Sequence, residues 1–186
     1  VPQPVATALS AENETQTTAL LSLLQPTSAP GVYSLDLLNP SFCQHLIEEL
    51  QHIRGSGIPL RRPNGMNRFG AILGEVGFEG GLVSVLAERV LGPIAKALFR
   101  DWIRHPELTD RFAFTVRYEA SGDTALAEHA DASCVTLNVC LGHQVAGRPA
   151  FKGGDLLSVA HTHPVSCTNT RILCRESCGF CIAGHP

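Results

Sequence analysis

The stretch AFTVRYEASGDTALAEHADASCVTLNVCLG, residues 113–142, contains two strand-like segments joined by a polar connection. Residues 111–118 (RFAFTVRY) alternate apolar and polar side chains, a pattern typical of a half-buried strand. Residues 133–142 (SCVTLNVCLG) are rich in β-branched residues and end at a glycine, which predicts a second strand. A third strand is predicted within residues 151–159 (FKGGDLLSV), after a Gly-Gly pair. Short strands that follow helical patterns favour an α+β fold with a β-sandwich or barrel core.

Two helices are predicted before these strands. From Ser41 to about residue 54, apolar residues recur at helical spacing, and Ser41 itself fits the helix cap. A second apolar pattern covers residues 81–99, where Pro93 is expected to kink or divide the helix. Residues 1–31, which are rich in Ala, Thr, Ser, Pro and Gln, are predicted to form a flexible arm.

Composition narrows the function classes. The 186 residues carry a net charge of -3 and only 6% aromatic side chains, which argues against a basic, base-stacking nucleic-acid surface. The longest apolar runs fall well short of the roughly 18 residues that indicate a membrane span. Seven cysteines, four of them in the last 20 residues, do not fit a disulfide framework and favour an intracellular reducing compartment. We therefore expect one domain with no nucleic-acid partner and no membrane span.

The most informative polar unit is His129-Ala130-Asp131, between the two strong strand patterns. On an extended chain, side chains two residues apart point the same way, so this imidazole and carboxylate can face one metal ion. With a second histidine from a distant strand, they would complete the ligand set of two histidines and one carboxylate found in non-haem Fe(II) oxygenases. The spacing alone leaves open a surface histidine beside a turn aspartate.

The order of the motifs resembles that of one enzyme family. A strand ending in Arg117-Tyr118, a glycine turn, His-x-Asp, a Val-Thr-Leu-Asn-Val strand and Gly-Gly follow one another over about residues 112–157. This order resembles the iron- and 2-oxoglutarate-dependent dioxygenases of the prolyl 4-hydroxylase type. The upstream segment RRPNGMNRFGAIL (residues 61–73) and the helix after it resemble, more narrowly, one uncharacterised group of these oxygenases. The resemblance implies N-terminal helices packed on a double-stranded β-helix (jelly-roll) core.

The resemblance also implies roles for individual residues. His129 and Asp131 match the first two iron ligands, and Tyr118 matches a tyrosine whose hydroxyl helps to hold 2-oxoglutarate. Asn138 and Cys140 are expected to line the cosubstrate pocket, with core packing or solvent exposure as the alternative. The implied cofactors are Fe(II), 2-oxoglutarate and L-ascorbate. The implied reaction uses O2 to hydroxylate a C–H bond of a protein prolyl or lysyl side chain, with release of succinate and CO2.

Residues 158–186 (SVAHTHPVSCTNTRILCRESCGFCIAGHP) depart from the family pattern. The family has a distal histidine as third iron ligand and, about ten residues later, a Lys or Arg that pairs with the far carboxylate of 2-oxoglutarate, since a buried carboxylate needs a cation. Here the residues between each histidine and the next arginine are turn-like. Three interpretations are open: an altered end that replaces the last strands, a working end with His161, His163 or His185 as third ligand, or a zinc site built from Cys174, Cys178, Cys181 and His185.

We therefore predict a flexible arm over residues 1–31, a helical support and dioxygenase core over residues 32–157 with its motif region at 111–157, and an atypical tail over residues 158–186. If the tail replaces barrel strands, we expect a core that is incomplete at its C-terminal end, with bare strand edges. The predicted function is a 2-oxoglutarate-dependent dioxygenase. Two alternatives are an inactive truncated isoform or pseudo-oxygenase that acts as a binding module, and a zinc-dependent hydrolase or cupin-like binder that uses the same face.

Overall fold

The computed structural model describes residues 1–100, 103 and 110–142, together with the backbone of the strand segments 144–145, 148–149, 170–174 and 179–185. Its α-helices are α1 (Gln3–Ser10), α2 (Asn13–Ser22), α3 (Pro40–Gly55), α4 (Ser84–Leu86) and α5 (Gly92–Leu98). Its strands are β1 (Gln25–Pro26), β2 (Val32–Leu35), β3 (Gly70–Ile72), β4 (Asp110–Val116), β5 (Val135–Cys140), β6 (Gln144–Val145), β7 (Arg148–Pro149), β8 (Thr170–Cys174) and β9 (Gly179–His185).

The first 31 residues do not form the flexible arm that the composition predicts. Helices α1 and α2 lie here, and Val5, Ala8 and Leu20 are buried in the main hydrophobic core. Gln16 adds a polar contact, since its Nε2 donates to the backbone carbonyl of Arg89 over 2.9 Å. Both helices are short, so tertiary burial rather than intrinsic propensity stabilises them, and composition alone does not reveal this.

Helix α3 is capped by Asn39 rather than by the predicted Ser41. The Asn39 side chain accepts a hydrogen bond from the backbone N–H of Phe42 over 2.8 Å. A residue before proline is restricted to extended backbone, which is the conformation that a cap needs, and Asn39 has φ -81° and ψ 154°. Pro40 then fits the first helical turn, where no N–H is required.

The helical run over residues 79–98 mixes π-helical turns (Glu79–Val83 and Ala87–Leu91) with α4 and α5. The predicted kink or division at Pro93 coincides with a change of helix type, because the π turn Ala87–Leu91 ends and α5 begins directly before it while the backbone angles stay helical. Pro93 lies in the first turn of α5, just after a wider π turn, where its missing N–H costs little. Among the helices that the structure describes, none is long and apolar enough to cross a membrane.

The described strands form one mixed seven-stranded sheet, in the order β1-β2-β8-β5-β9-β4-β3, and a separate pair of β6 and β7. Strand β8 runs parallel to both β2 and β5, whereas the other neighbours in the sheet are antiparallel. The combination of helices and sheet agrees with the α+β prediction. The jelly-roll core stays a prediction, because the strand expected within residues 151–159 lies outside the described residues.

Strands from the predicted tail occupy the middle of this sheet. Strand β9 lies between β4 and β5, and β8 lies between β5 and β2. The expectation of bare edges on the core strands is therefore wrong for β4 and β5, since each has a partner on both sides. Two-sided pairing satisfies backbone N–H and C=O groups that an open edge would leave exposed.

The two faces of β5 differ in kind. One face carries Val135, Leu137 and Val139, which are almost fully buried in the hydrophobic core. The other face carries Thr136, Asn138 and Cys140, because side chains alternate along a strand. Residues that are paired across neighbouring strands share a face. Thr136 pairs with Ala183 of β9, and Ala183 pairs with Phe112 of β4, so these three residues belong to the same face of the sheet. We call the face of the sheet that includes Thr136, Asn138 and Cys140 the polar face.

Replacement of Leu20 tests whether the N-terminal helices belong to the core. We expect Leu20→Ala to lower the free energy of unfolding by about 2–5 kcal/mol, the usual cost of a cavity at a fully buried leucine. Urea denaturation followed by circular dichroism measures this change. The exposed Thr18→Ala variant, in the same helix, is the matched control and should change the free energy by less than about 0.5 kcal/mol. Equal midpoints for Leu20→Ala and the wild type would contradict burial of α2 in the core.

Candidate metal centre

His129 and Asp131 lie in the connection between β4 and β5, directly before β5 begins. Their side chains converge, with His129 Nε2 3.0 Å from Asp131 Oδ1. Both side chains are partly exposed, at 27% and 19%, so an ion in solution can reach them. The structure thus brings together the two residues that the sequence predicts as ligands.

The second ring nitrogen of His129 is also engaged. Nδ1 lies 2.9 Å from the backbone carbonyl oxygen of Ala127. A carbonyl oxygen only accepts hydrogen bonds, so this contact requires a proton on Nδ1. Histidines that bind metals usually make such a bond through the nitrogen that faces away from the metal, which fixes the ring and its tautomer. Nε2 is therefore the nitrogen that faces a potential metal position.

The carboxylate oxygen of Asp131 that does not contact His129 is hydrogen-bonded, through residues that sequence reasoning missed. This oxygen, Oδ2, accepts a hydrogen bond from Thr136 Oγ1 over 2.9 Å, and the Thr136 hydroxyl is 2.8 Å from that of Ser133. Both hydroxyl residues are buried. A threonine in a strand is common, so the only available signal was its place on the polar side of an otherwise apolar β5 pattern.

The distance between Nε2 and Oδ1 can be compared with that between two ligands of one metal ion. Two donor atoms that each lie about 2.1 Å from a metal, at a right angle to each other, are about 3.0 Å apart. The observed 3.0 Å is the length of the hydrogen bond between the two groups, and it is also compatible with this ligand spacing. Imidazole and carboxylate are also the donors in the non-haem iron ligand set. Among the side chains that the structure describes, no third His, Cys, Asp or Glu joins the pair.

Of the three histidines predicted as third ligand, His185 has a described backbone position. It is the last residue of β9, two residues after Ala183, which is the partner of Thr136. Residue 185 therefore belongs to the polar face, at the end of the sheet where β5 begins. His161 and His163 lie outside the described residues.

Asn138 and Cys140 lie on the polar face, in line with Thr136 along β5, and both are partly buried. On the next strand, Arg171 of β8 is the partner of Thr136. Partners in a parallel ladder share a face, so residue 171 also belongs to the polar face. The sequence predicts turn-like structure here, whereas the structure has strand β8.

Tyr118 follows the end of β4 and forms an isolated bridge with Asp123. The cosubstrate role that the resemblance implies for Tyr118 stays a prediction.

Two cysteines of the predicted zinc site have described backbone positions. Cys174 ends β8 and Cys181 lies in β9, and these strands are on opposite sides of β5. Cys178 lies outside the described residues, and the zinc site stays a prediction.

An arginine-rich loop from the helical half is tied to the segment that precedes the metal motif. Asp123 Oδ2 accepts hydrogen bonds from the backbone N–H groups of Arg68 (2.6 Å) and Phe69 (3.0 Å). The Phe69 carbonyl in turn accepts a bond from the Arg117 N–H over 2.9 Å. The bonds from the Phe69 and Arg68 amides stabilise the carboxylate and hold the pKa of Asp123 below its usual value.

Gly70 permits this close approach. Its φ is +155°, a conformation that other residues rarely adopt, and a Cβ there would collide with the carbonyl oxygen of Thr115. Asn64 shapes the turn before it, because its Oδ1 accepts from the N–H groups of Met66 and Asn67 over 2.8 and 2.7 Å. The loop and the end of β4 are therefore in direct backbone contact.

The described residues form an α+β structure in which an imidazole and a carboxylate converge directly before β5. A family model described as the OGFOD2-like domain matches residues 3–104, and the chain belongs to this family. Its homologues are named 2-oxoglutarate and iron-dependent oxygenases, which confirms the family relationship that the motifs imply. The matched residues end before β4, so the metal motif lies beyond them.

Three relatives illustrate the similarity. The chain is 39% identical over 143 residues to "2-oxoglutarate and iron-dependent oxygenase domain-containing protein 2" of Danio rerio, covering 77% of this chain and 41% of that protein. It is 35% identical over 150 residues to "2-oxoglutarate and iron-dependent oxygenase domain-containing protein CP2" of Arabidopsis thaliana, covering 78% and 37%. It is 30% identical over 122 residues to "Multifunctional procollagen lysine hydroxylase and glycosyltransferase LH3" of Rattus norvegicus, covering 62% and 16%. The chain thus spans about two-fifths of the first two relatives. No solved structure matches significantly.

Asp123→Asn tests the tie between the loop and the segment before the metal motif. We expect it to reduce hydrogen-exchange protection of the Arg68 and Phe69 amides several-fold at neutral pH, because the charged acceptor is lost. In the wild type the carboxyl pKa is lowered on folding, so the protection should be full at neutral pH and fall as the pH drops below about 4. Asp123→Asn should lack this pH dependence.

The control for this experiment is Glu119→Gln. Glu119 pairs with the Arg117 guanidinium on the surface and its carboxylate does not accept from either amide, so protection should match the wild type. Unchanged protection of both amides in Asp123→Asn at neutral pH would show that the carboxylate does not hold the loop.

Proposed function

We propose that this protein functions as an Fe(II)- and 2-oxoglutarate-dependent dioxygenase that hydroxylates a C–H bond of a protein side chain. His129 Nε2 and Asp131 Oδ1 bind the iron, and their 3.0 Å separation is the observation that carries the proposal. When bound, iron and 2-oxoglutarate supply the oxidative chemistry, in which O2 is consumed and succinate and CO2 are released. The proposed core is a double-stranded β-helix, with the polar face lining its interior.

His185 is the proposed third iron ligand. The register of β9 supports this choice, because residue 185 shares a face with Thr136, whose hydroxyl is bonded to Asp131. A histidine from a strand distant in sequence is also what a ligand set of two histidines and one carboxylate requires. His161 and His163 are the competing candidates from the same tail.

Arg171 is the proposed partner of the far carboxylate of 2-oxoglutarate. It is paired with Thr136 across the β5–β8 ladder and so lies one strand away from the residue that contacts Asp131. A cosubstrate carboxylate in an enclosed site needs a cation, and a guanidinium can form two parallel hydrogen bonds with it. Asn138 and Cys140 are proposed to line the same pocket.

The remaining residues of the polar face fit the orientation of an organic substrate. Phe112 and Phe114 of β4 lie on this face with ring centroids 5.4 Å apart, and Phe112 is 43% exposed. An apolar wall of this kind favours binding of a methylene chain and displaces water from it. The wall suits a lysyl or prolyl side chain, and the names of two relatives, which refer to procollagen lysine hydroxylation, support a lysyl residue.

Succinate release tests the proposed reaction. We expect the wild type, supplied with Fe(II), 2-oxoglutarate, O2 and ascorbate as reductant, to release succinate, and His129→Ala and Asp131→Ala to lose this activity to background. Mass spectrometry of the succinate quantifies turnover. Glu128→Gln, which changes the charge next to the ligand but removes no proposed ligand, should retain it. Soluble, folded wild-type protein that binds Fe(II) and releases no succinate would overturn the proposal and favour the binding-module alternative.

Three single variants test the third ligand. We expect His185→Ala to weaken Fe(II) binding and abolish succinate release, whereas His161→Ala and His163→Ala should leave both close to the wild type. Anaerobic metal titration gives the affinities. Loss of binding in His161→Ala or His163→Ala, with His185→Ala unaffected, would transfer the ligand role to that residue.

Replacement of Arg171 tests the cosubstrate contact. We expect Arg171→Gln to raise the KM for 2-oxoglutarate by about 10–100-fold, since hydrogen bonds to a charged group contribute about 1.5–3 kcal/mol. Arg171→Lys keeps the charge but cannot form the bidentate hydrogen bonds of a guanidinium. Its KM for 2-oxoglutarate should lie between those of the wild type and Arg171→Gln. Iron affinity should stay unchanged in both variants. An unchanged KM in Arg171→Gln would exclude Arg171 as the partner.

A further inference from the structure

Two buried hydroxyl side chains lie on the side of the Asp131 carboxylate that faces away from His129. Thr136 is 0% exposed and Ser133 is 2% exposed. Thr136 Oγ1 donates to Asp131 Oδ2 over 2.9 Å, and the Ser133 and Thr136 hydroxyl oxygens are 2.8 Å apart. The other carboxylate oxygen, Oδ1, faces His129 Nε2. The two oxygens of one carboxylate therefore have different partners.

The direction of these hydrogen bonds follows from the number of protons available. A threonine hydroxyl has one proton, and an ionised carboxylate only accepts. The Thr136 proton is used toward Asp131, so the Ser133 hydroxyl is the donor in its contact with Thr136. The series runs one way, from Ser133 through Thr136 to Asp131 Oδ2. It is buried, where hydrogen bonds are strong and an unmade bond is costly.

We infer that Thr136 is a positioning residue that restricts Asp131 to a single metal bond through Oδ1. This inference rests on the proposed function of the same site. An Oδ2 that is bonded to a buried hydroxyl does not turn toward the metal. A carboxylate bound through both oxygens would fill one more coordination position. Single-oxygen binding keeps that position available for the cosubstrates that an oxygenase must accept.

Thr136→Val is the decisive variant, because it removes the hydroxyl at almost the same side-chain volume. Thr136→Ser returns the donor without the methyl group. Thr115→Val is the matched control, since Thr115 is a buried strand threonine whose hydroxyl accepts from the backbone N–H of Ala71, away from the pair. Each full-length variant is titrated with Mn(II) by calorimetry, its Co(II) visible spectrum is recorded as a measure of coordination, and its Tm is measured.

We expect Thr136→Val to weaken Mn(II) binding by about 10–100-fold, the usual effect of losing a group that orients a ligand, and to change the Co(II) spectrum. Thr136→Ser should restore both, which a purely structural role of the methyl group would not allow. Thr115→Val should lower the Tm and leave the metal affinity of the folded protein unchanged. Wild-type affinity and spectrum in Thr136→Val, or no rescue by Thr136→Ser, would overturn the inference.

If Thr136→Val does not fold, Ser133→Ala decides the question. Loss of the donor to Thr136 should weaken Mn(II) binding and shift the Co(II) spectrum in the same direction, and wild-type values would overturn the inference. Asp131→Ala separates this result from failure of the proposed function. Absence of metal binding in the wild type, or tight binding in Asp131→Ala, refutes the metal site itself. Binding that depends on Asp131 but not on the hydroxyls refutes only the role of Thr136.

Discussion

The pairing of β9 with both β4 and β5 is the constraint on which the rest of the sheet depends. Strand β9 fills the space between two strands that come earlier in the chain, and it satisfies backbone groups along both. Because side chains alternate, this register decides which residues of all three strands face the helices. A slip of one residue would move Leu137 out of the hydrophobic core and Thr136 into it. The register that buries the core therefore also places the hydroxyl behind Asp131.

The candidate site combines local and long-range parts that differ in how they are held. His129 and Asp131 are each fixed from behind by a neighbour close in sequence, through Ala127 and Thr136. Contacts between residues so close in sequence cost little loop entropy, so these two hydrogen bonds do not depend on any distant strand. His185 and Arg171 reach the polar face only through the long-range pairing of β9 and β8. The metal pair and its proposed complement thus depend on different levels of the fold.

Alternation along the chain is enough to predict β4 and β5. The two-residue spacing of His129 and Asp131 allows the two side chains to meet, and the order of the surrounding motifs favours it. Alternation is not enough for residues 1–31, whose helices gain stability from burial of side chains such as Leu20 against distant elements. Strands β8 and β9 escape prediction for the same reason, because their partners are far away in sequence and no local pattern specifies that pairing. Thr136 is missed because a threonine in a strand is ordinary, and only the bond to Asp131 distinguishes it.

The residues that identify the family and those that carry the proposed chemistry belong to one connected structure. The family model matches residues 3–104, whereas the metal motif follows β4. Asp123 bonds the loop at Arg68 and Phe69 to the segment before the motif, and β2 from the helical half pairs with β8. Through these hydrogen bonds and this strand pairing, the helical half helps to fix the position of the segment that leads to the proposed ligands. These contacts also agree with the similarity to the Danio rerio relative, which extends over 143 residues and so continues past the matched family domain.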